Sequence, residues 1–225
     1  MKPRITLEET TLTDGTNLVL QEHDSRLYLL VHGQQICGPA TAAAEKELAF
    51  LAAAPFRPAR QPKIWLVGLG LGQTLAAITK ELPQKRGRFI VVEPLPEIAA
   101  WHHRHLPDGA LKNDARVDLE TDAGRSALSR QDGQLNAILI HLDAAPLGPR
   151  NRPWTEDRAW LSAAYQALQP GGLLAIASSR PVANLTRKLQ QAGFDVAEHT
   201  VPISPDAKRP RLQPIWLARK GLPVA

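Results

Sequence analysis

Residues 63–93, KIWLVGLGLGQTLAAITKELPQKRGRFIVVE, constrain the fold more than any other stretch of this 225-residue chain. An apolar run, Ile64–Val67, meets glycines at alternate positions, Gly68, Gly70 and Gly72, and a helical segment Thr74–Leu82 follows. A second apolar run, Phe89–Val92, ends on an acid, Glu93. Strand, glycine loop, helix, strand and acid in that order make a nucleoside-binding βαβ crossover. Glycine gives the backbone access to positive φ and lets a ligand approach with no Cβ in the way. An acid at the end of the next strand lies beside the loop, where its two oxygens can accept both ribose hydroxyls. The spacing is GxGxG rather than GxGxxG, with Gln73 and Thr74 where a dinucleotide helix packs its third glycine. That favours ligands of the S-adenosylmethionine type, which carry no pyrophosphate, over a nicotinamide dinucleotide.

The remainder of the chain extends this unit in both directions. Residues 4–37 read as a small antiparallel β module. Ile5–Leu12 alternates, Asp14-Gly15 signals a hairpin, Leu18–Gln21 and Leu27–Val31 are further strands, and His32-Gly33 turns the chain again. Ala40–Ala54 is an alanine-rich helix ended by Pro55 and Pro58, and Arg57–Lys63 links it to the main domain. The expected division is 1–38 as the β module, 39–62 as helix and linker, and 63–225 as the nucleoside-binding domain.

Beyond Glu93, Pro94 suits the first turn of a helix running to about His105. In that helix His102 and His105 are the one histidine pair at contact spacing, and no cysteine or nearby carboxylate completes a metal site, so a solvated helix end is expected. Arg116–Glu120 is the third strand, followed by Thr121-Asp122-Ala123 and a short helix to about Arg130. Leu135–Leu142 is a strongly apolar strand ending in Asp143. A helix from about Thr155 to Leu168 has Thr155 and Asp157 as cap and first-turn charge. Gln169-Pro170-Gly171-Gly172 should break the chain before the strand Leu173–Ser178, and Asn184–Ala192 is helical up to Gly193. Two final strands, Asp195–Val201 and Pro214–Arg219, have no helix between them. Alternating strands and helices predict a parallel sheet, and the last two strands predict a terminal antiparallel hairpin. Seven strands with that ending are the class I methyltransferase architecture, mostly parallel.

Parallel α/β sheets bind ligands at the carboxyl ends of their strands. Four strand ends deliver Gly68–Gly72, Glu93, Asp122 and Asp143 to that edge. The glycine loop passes under the tail of the ligand, Glu93 takes the ribose, and Asp122 accepts the adenine amino group. Asp143, at the reaction centre, accepts a proton or holds a cationic nucleophile.

These residues resemble the spermidine synthase family, and more closely its shorter spermidine synthase-like relatives, over most of the chain. Val31-His32-Gly33 is similar to the family's strand ending in an aspartate-glycine turn, and Glu47 matches the last residue of its Tyr-His-Glu. Leu106-Pro107 and Asp114-Ala115-Arg116-Val117 resemble its LP and DPRV segments, and Thr121-Asp122-Ala123 stands near its adenine-binding GDG. Ala144-Ala145-Pro146-Leu147-Gly148-Pro149 resembles the tail of DSSDPxGP, and Leu168-Gln169-Pro170-Gly171-Gly172 resembles LKPGG. Three departures fall on the chemistry. Leu71 stands where the family's GGGDGG has its aspartate, and Leu142 and Ala145 replace both aspartates of DSSDPxGP, which in the family hold and deprotonate the attacking amine. Asp143 lies one position along, and one step on a strand turns a side chain to the opposite face.

The resemblance implies aminopropyl transfer from decarboxylated S-adenosylmethionine to a small amine, without a metal, while the missing acids argue against ordinary polyamine acceptors. An S-adenosylmethionine-dependent methyltransferase is the first alternative, although Asp143-Ala144-Ala145-Pro146 lacks the [DNS]PP[YF] signature of amino-group methylation. A non-catalytic nucleoside-binding protein is the second. Its basic face would comprise Arg150, Arg152, Lys208, Arg209 and Arg211, a cluster that reads more simply as two solvated loops. The formal charge of +5 serves solubility and does not by itself favour nucleic acid. The lone Cys37 excludes an internal disulfide framework and suits the cytoplasm. No leader is expected, and no apolar run approaches the roughly 18–20 residues that span a bilayer. The larger relatives pair through their β modules, so the resemblance is compatible with a homodimer.

Overall fold

A computed structural model of the chain describes residues 3–106, 109–122, 124–143, 152–203 and 211–221. Its first sheet is an antiparallel meander of β1 (Ile5–Thr11), β2 (Asn17–His23), β3 (Arg26–Val31) and β4 (Gln34–Cys37). Two of its turns take left-handed backbone at paired positions, Asp24-Ser25 (φ 49° and 58°) and His32-Gly33 (φ 49° and 73°). Such pairs match the twist of a hairpin. The first turn was not legible, because Asp-Ser is a weaker signal than Asp-Gly.

The second sheet holds β5 (Lys63–Val67), β6 (Arg88–Val92), β7 (Val117–Glu120), β8 (Leu135–His141), β9 (Leu168–Ala177), β10 (Asp195–Ile203) and β11 (Arg211–Arg219). The strand order is β10-β11-β9-β8-β5-β6-β7, with β5 to β9 parallel and the last two strands antiparallel. This is the expected class I methyltransferase-like α/β fold. The order reverses at β5, which has β6 on one side and β8 on the other. Chains leaving β5 and β8 therefore part at that point, and a crevice opens at their carboxyl ends.

Strand alternation sends side chains to two separate cores. Ile64, Leu66, Val91, Ala137, Leu139 and Ala177 face one side. There they meet α1 (Pro39–Ala53), α2 (Gln73–Glu81), α3 (Pro96–His105) and leucines of the β module. Trp65, Val67, Ile138 and Ile140 face the other side, against α5 (Arg125–Ser129), α6 (Arg158–Ala167) and α7 (Leu185–Gln191). Helix α1 lies flat on the first side through Ala44, Leu48, Ala49, Ala52 and Ala53, small residues that permit close approach to the strands.

Several boundaries differ from expectation for identifiable reasons. Helix α3 starts at Pro96 with Leu95 preceding it, so Pro94 lies outside the helix. A single turn of helix, α4 (Ala110–Asn113), precedes β7 and was not anticipated. Helix α6 begins at Arg158, because the Asp157 carboxylate accepts from the N–H groups of Ala159 (2.8 Å) and Trp160 (3.3 Å). Thr155 instead sits in the buried 3-10 turn Trp154–Glu156. Strand β9 runs through Pro170-Gly171-Gly172 with a register shift against β8. Gly171, at φ 75°, lets the extra residues bulge rather than end the strand. Arg150, Lys208 and Arg209 of the basic cluster lie outside the described residues, and Arg152 is exposed.

Candidate active site at the carboxyl edge of the sheet

The glycine loop is built from two alternating sets of residues. Gly68, Gly70 and Gly72 take φ of 85°, 52° and 74°, which only glycine adopts without strain. Between them, Leu69 and Leu71 are buried and turn down into the core with Leu75, Ile98 and Trp101. Leu71 also lines a small void with Leu20 and Leu29 of the β module. The position where the resembling family has an aspartate is therefore an apolar anchor that seats the loop on the first sheet.

Glu93 reaches this loop as expected. Its Oε2 accepts from the Leu69 N–H at 3.0 Å and its Oε1 from the Leu95 N–H at 3.1 Å, and the residue is only 2% exposed. Burial pushes its carboxyl up to about 7, against the pull of those two backbone donors. Each oxygen keeps a second lone pair, so the carboxylate can still accept a hydroxyl.

Asp122 belongs to a different neighbourhood. It follows β7, two strands from the loop, roughly 10 Å at the usual strand spacing. It is exposed, and its Oδ1 accepts from Gly124 N–H at 2.8 Å while its Oδ2 accepts from the Ser126 hydroxyl at 3.2 Å. The side chain thus holds the turn that leads into α5, and its Oδ2 also lies 3.8 Å from the Arg130 guanidinium. Ala123 lies outside the described residues.

Asp143 sits past the end of β8, where the turn has already begun. Leu142 packs toward the second core. Asp143 lies on the opposite side, its Oδ2 3.9 Å from Nδ1 of His141. Both its oxygens are engaged by Ser179 at 2.6 Å, one by the backbone N–H and one by the hydroxyl. It lines a cavity of about 450 Å³ with Gln34, Gln35 and Thr41, between the β module and the sheet edge.

The end of α3 is solvated only in part: His103 and Arg104 are exposed, whereas His102 is not. His102 is buried, and its Nε2 lies 2.8 Å from the Gly70 carbonyl oxygen. A carbonyl only accepts, so Nε2 carries the proton, and burial holds the imidazole below its usual protonation range. Arg104 and His105 both reach Glu8 of β1, at 2.7 and 2.8 Å. Helix α3 therefore supports the glycine loop from beneath and clasps the β module. The arrangement uses its histidines for packing and hydrogen bonding.

Three polar residues of this region escaped the sequence reading. Glu45, not Glu47, is the buried acid of α1, accepting from the hydroxyls of Thr41 (2.9 Å) and of Thr74 at the start of α2 (3.3 Å). Its place beside Ala44 and Leu48 on one helical face was the available signal. The available signal for His141 was an ionisable residue closing the apolar run AILI. Cys37 lies against the Leu71 backbone, its thiol pushed well up by burial and by the nearby Glu45 carboxylate, so it is inert as a nucleophile.

No family model matches this sequence, and no curated protein matches it by sequence. Solved structures do match. The class they define is the class I methyltransferase-like fold: an O-methyltransferase family protein from Burkholderia thailandensis superposes with a TM-score of 0.57 at 14% identity, over 82% of this chain and 58% of that one. Within the class, spermidine synthases are more similar. The enzyme from Thermotoga maritima gives a TM-score of 0.77 at 15% identity, covering 96% of this chain and 73% of its own. A spermidine synthase in complex with the transition state analogue AdoDATO gives 0.74 at 14%, with the same coverage. The chain has a spermidine synthase-like fold, including the N-terminal β module.

Proposed function

We propose that this protein is a spermidine synthase-like transferase. It binds decarboxylated S-adenosylmethionine or S-adenosylmethionine as co-substrate and transfers the aminopropyl group to a small amine. The observation that carries the reading is the junction of glycine loop and acid at the point of strand-order reversal, Leu69 N–H to Glu93 at 3.0 Å. A fold alone does not define a function, but this junction, glycine backbone beside a buried carboxylate, supports a ribose site. Gly68, Gly70 and Gly72 would run beneath the ligand, Glu93 would hold the ribose hydroxyls, and Asp122 with Ala123 would flank the adenine. In the transfer, a sulfonium leaves as a neutral thioether, so the protein must align an uncharged amine behind the carbon and remove one proton.

Methyl transfer on the same fold is the second reading, and Leu71 is less damaging to it. A buried leucine has no carboxylate to anchor the amine of an aminopropyl donor, whereas a methionine end can be held by other groups. A cytoplasmic setting is proposed from the single, buried Cys37; among the described residues no helix is long and apolar enough to cross a membrane. Pairing of two copies through the β module is part of the same proposal.

Calorimetry with S-adenosylmethionine, its decarboxylated form and methylthioadenosine separates the readings. Preference for the decarboxylated ligand supports aminopropyl transfer, and preference for the carboxylated one supports methyl transfer. Binding of none of the three leaves a non-catalytic protein. Glu93→Ala should weaken every nucleoside ligand at least tenfold, equivalent to about 1.4 kcal/mol; unchanged affinity would remove Glu93 from the site.

A further inference from the structure

His141 is the residue that the transfer chemistry leaves unexplained. It is 5% exposed, and neither Nδ1 nor Nε2 has a hydrogen-bond partner among the described residues. Buried polar groups are almost always partnered, so two orphaned nitrogens on one ring point to something that is bound there in the working protein. The ring does not belong to the second core. Alternation along β8 puts it with Ala137 and Leu139, on the side covered by α1 and the β module, and its ladder partner is Ala177. A second orphan lies nearby. Gln213 Oε1 on β11 is buried without a partner among the described residues, and the register that pairs Ile215 with Ala177 puts Gln213 level with Ser179. Glu93 ends β6 on the same side, and Cys37 and Glu45 face it from above. One polar layer thus crosses the carboxyl edge from the glycine loop to β11, and His141 stands at its centre, beside the strand-order reversal.

Asp143 is poorly suited to be the base. Ser179 donates to each of its oxygens at 2.6 Å, so both are already engaged. At 3.9 Å from His141 Nδ1 it can instead stabilise a positive imidazolium.

We propose that His141 is the proton acceptor of the transfer reaction, facing the end of the slot where the new bond forms, with Asp143 as its positioning residue. This rests on the transferase reading. The nucleophile's lone pair forms the bond to the donor carbon, and the carbon–sulfur bond breaks with its electrons left on sulfur. The proton passes from the nucleophile to His141, whose charge Asp143 balances. The proton acceptor that Leu142 and Ala145 cannot supply is thereby replaced from the strand itself.

Nitrogen-15 NMR of the full chain tests this. The His141 ring signals are identified by their loss in His141→Gln, or by through-bond assignment in the unmodified protein if that variant does not fold. The ring is observed with S-adenosylmethionine against S-adenosylhomocysteine, and with decarboxylated S-adenosylmethionine against methylthioadenosine. The members of each pair share the adenosine and differ at sulfur, charged in one and neutral in the other. A remote rearrangement would move the ring signals equally for both members, whereas a ring facing the sulfur must distinguish them. The expected result at pH 7.5 is two well-separated nitrogen signals, those of a neutral ring able to accept a proton, shifted differently by the sulfonium and thioether ligands. Identical shifts within both pairs, or the merged signals of an imidazolium in the sulfonium complex, would overturn the proposal. Failure of all four ligands to bind in calorimetry would instead remove the transferase reading, and the proposal with it.

Discussion

At Gly72 the chain turns with φ 74°, and a Cβ placed there would lie 2.9 Å from Cε1 of the buried His102 ring. Two separate penalties meet at this residue, left-handed backbone and a contact that a ring held at Gly70 cannot relieve. Gly72→Ala should cost on the order of 2 kcal/mol in denaturant unfolding, and a loss below about 0.5 kcal/mol would mean the ring moves freely. Glu93 carries a different signature. Its carboxyl stands near 7 in the folded protein against 4.5 as reference, so between those values the folded chain holds a proton that the unfolded chain has released. Stability therefore falls as pH rises from about 4.5 to 7 and is flat above, by on the order of 3 kcal/mol for this one group. Glu93→Gln should flatten that slope in unfolding curves collected across the window. Hydroxyl donors from a ribose would favour the carboxylate, so nucleoside affinity should weaken below pH 7 in the unmodified protein and not in the variant. The glycines and Glu93 were legible because spacing alone places them; His102 was not, because nothing along the sequence marks which face of α3 is covered.

Among the elements, the connection from α2 to β7 shows how a segment that resembles a family motif can serve the fold. Arg116 precedes β7 and donates to the carbonyls of Thr79 (3.0 Å), Leu82 (2.5 Å) and Gln84 (3.2 Å), closing the end of α2. Its guanidinium lies 4.8 Å from the Phe89 ring centroid and pairs with Asp114 at 2.6 Å, whose carboxyl that pairing holds below its usual range. Carbonyls at a helix end have no partner within the helix, so an arginine fork that reaches two of them, Thr79 and Leu82, and Gln84 just beyond fixes α2 against β6 and β7. Arg116→Leu should lower unfolding stability by on the order of 2 kcal/mol, and Arg116→Lys should recover only part, since one ammonium cannot span the three acceptors. Asp114-Ala115-Arg116-Val117 thus owes its presence here to strand and helix anchoring. Helix α3 makes a comparable link on the other side, with Arg104 and His105 on Glu8 binding the first sheet to the second.

Over the whole molecule, the strand-order reversal between β5 and β8 opens the crevice where sheets of this kind bind ligands, and α1 with the β module determines which side is roofed. A nucleoside bound at that edge would contact the glycine loop and Glu93 in the folded state only. At a concentration about a hundred times its Kd, such a ligand adds roughly 2.7 kcal/mol of stability. For a chain of this length, that corresponds to a rise in Tm of roughly 5–10 °C in a thermal melt with methylthioadenosine. Glu93→Ala should lose the rise; an equal rise in the variant would place the ligand elsewhere.

Local pattern sufficed for the sheet and its order of elements. Alternation, glycine and proline punctuation, and the final pair of strands without a helix are properties of neighbouring residues, and they specify the class I methyltransferase-like fold and deliver Gly68–Gly72 and Glu93 to one edge. What tertiary packing decided is which polar groups face that edge. Asp122 was drawn into the turn before α5, and Asp143 was taken up by Ser179, because nearby N–H and hydroxyl donors satisfied them first. Glu45 and His141 became buried on the covered side of that edge because their helix and strand present them inward. Burial and long-range hydrogen bonding depend on residues tens of positions apart in sequence, and no spacing rule carries that information.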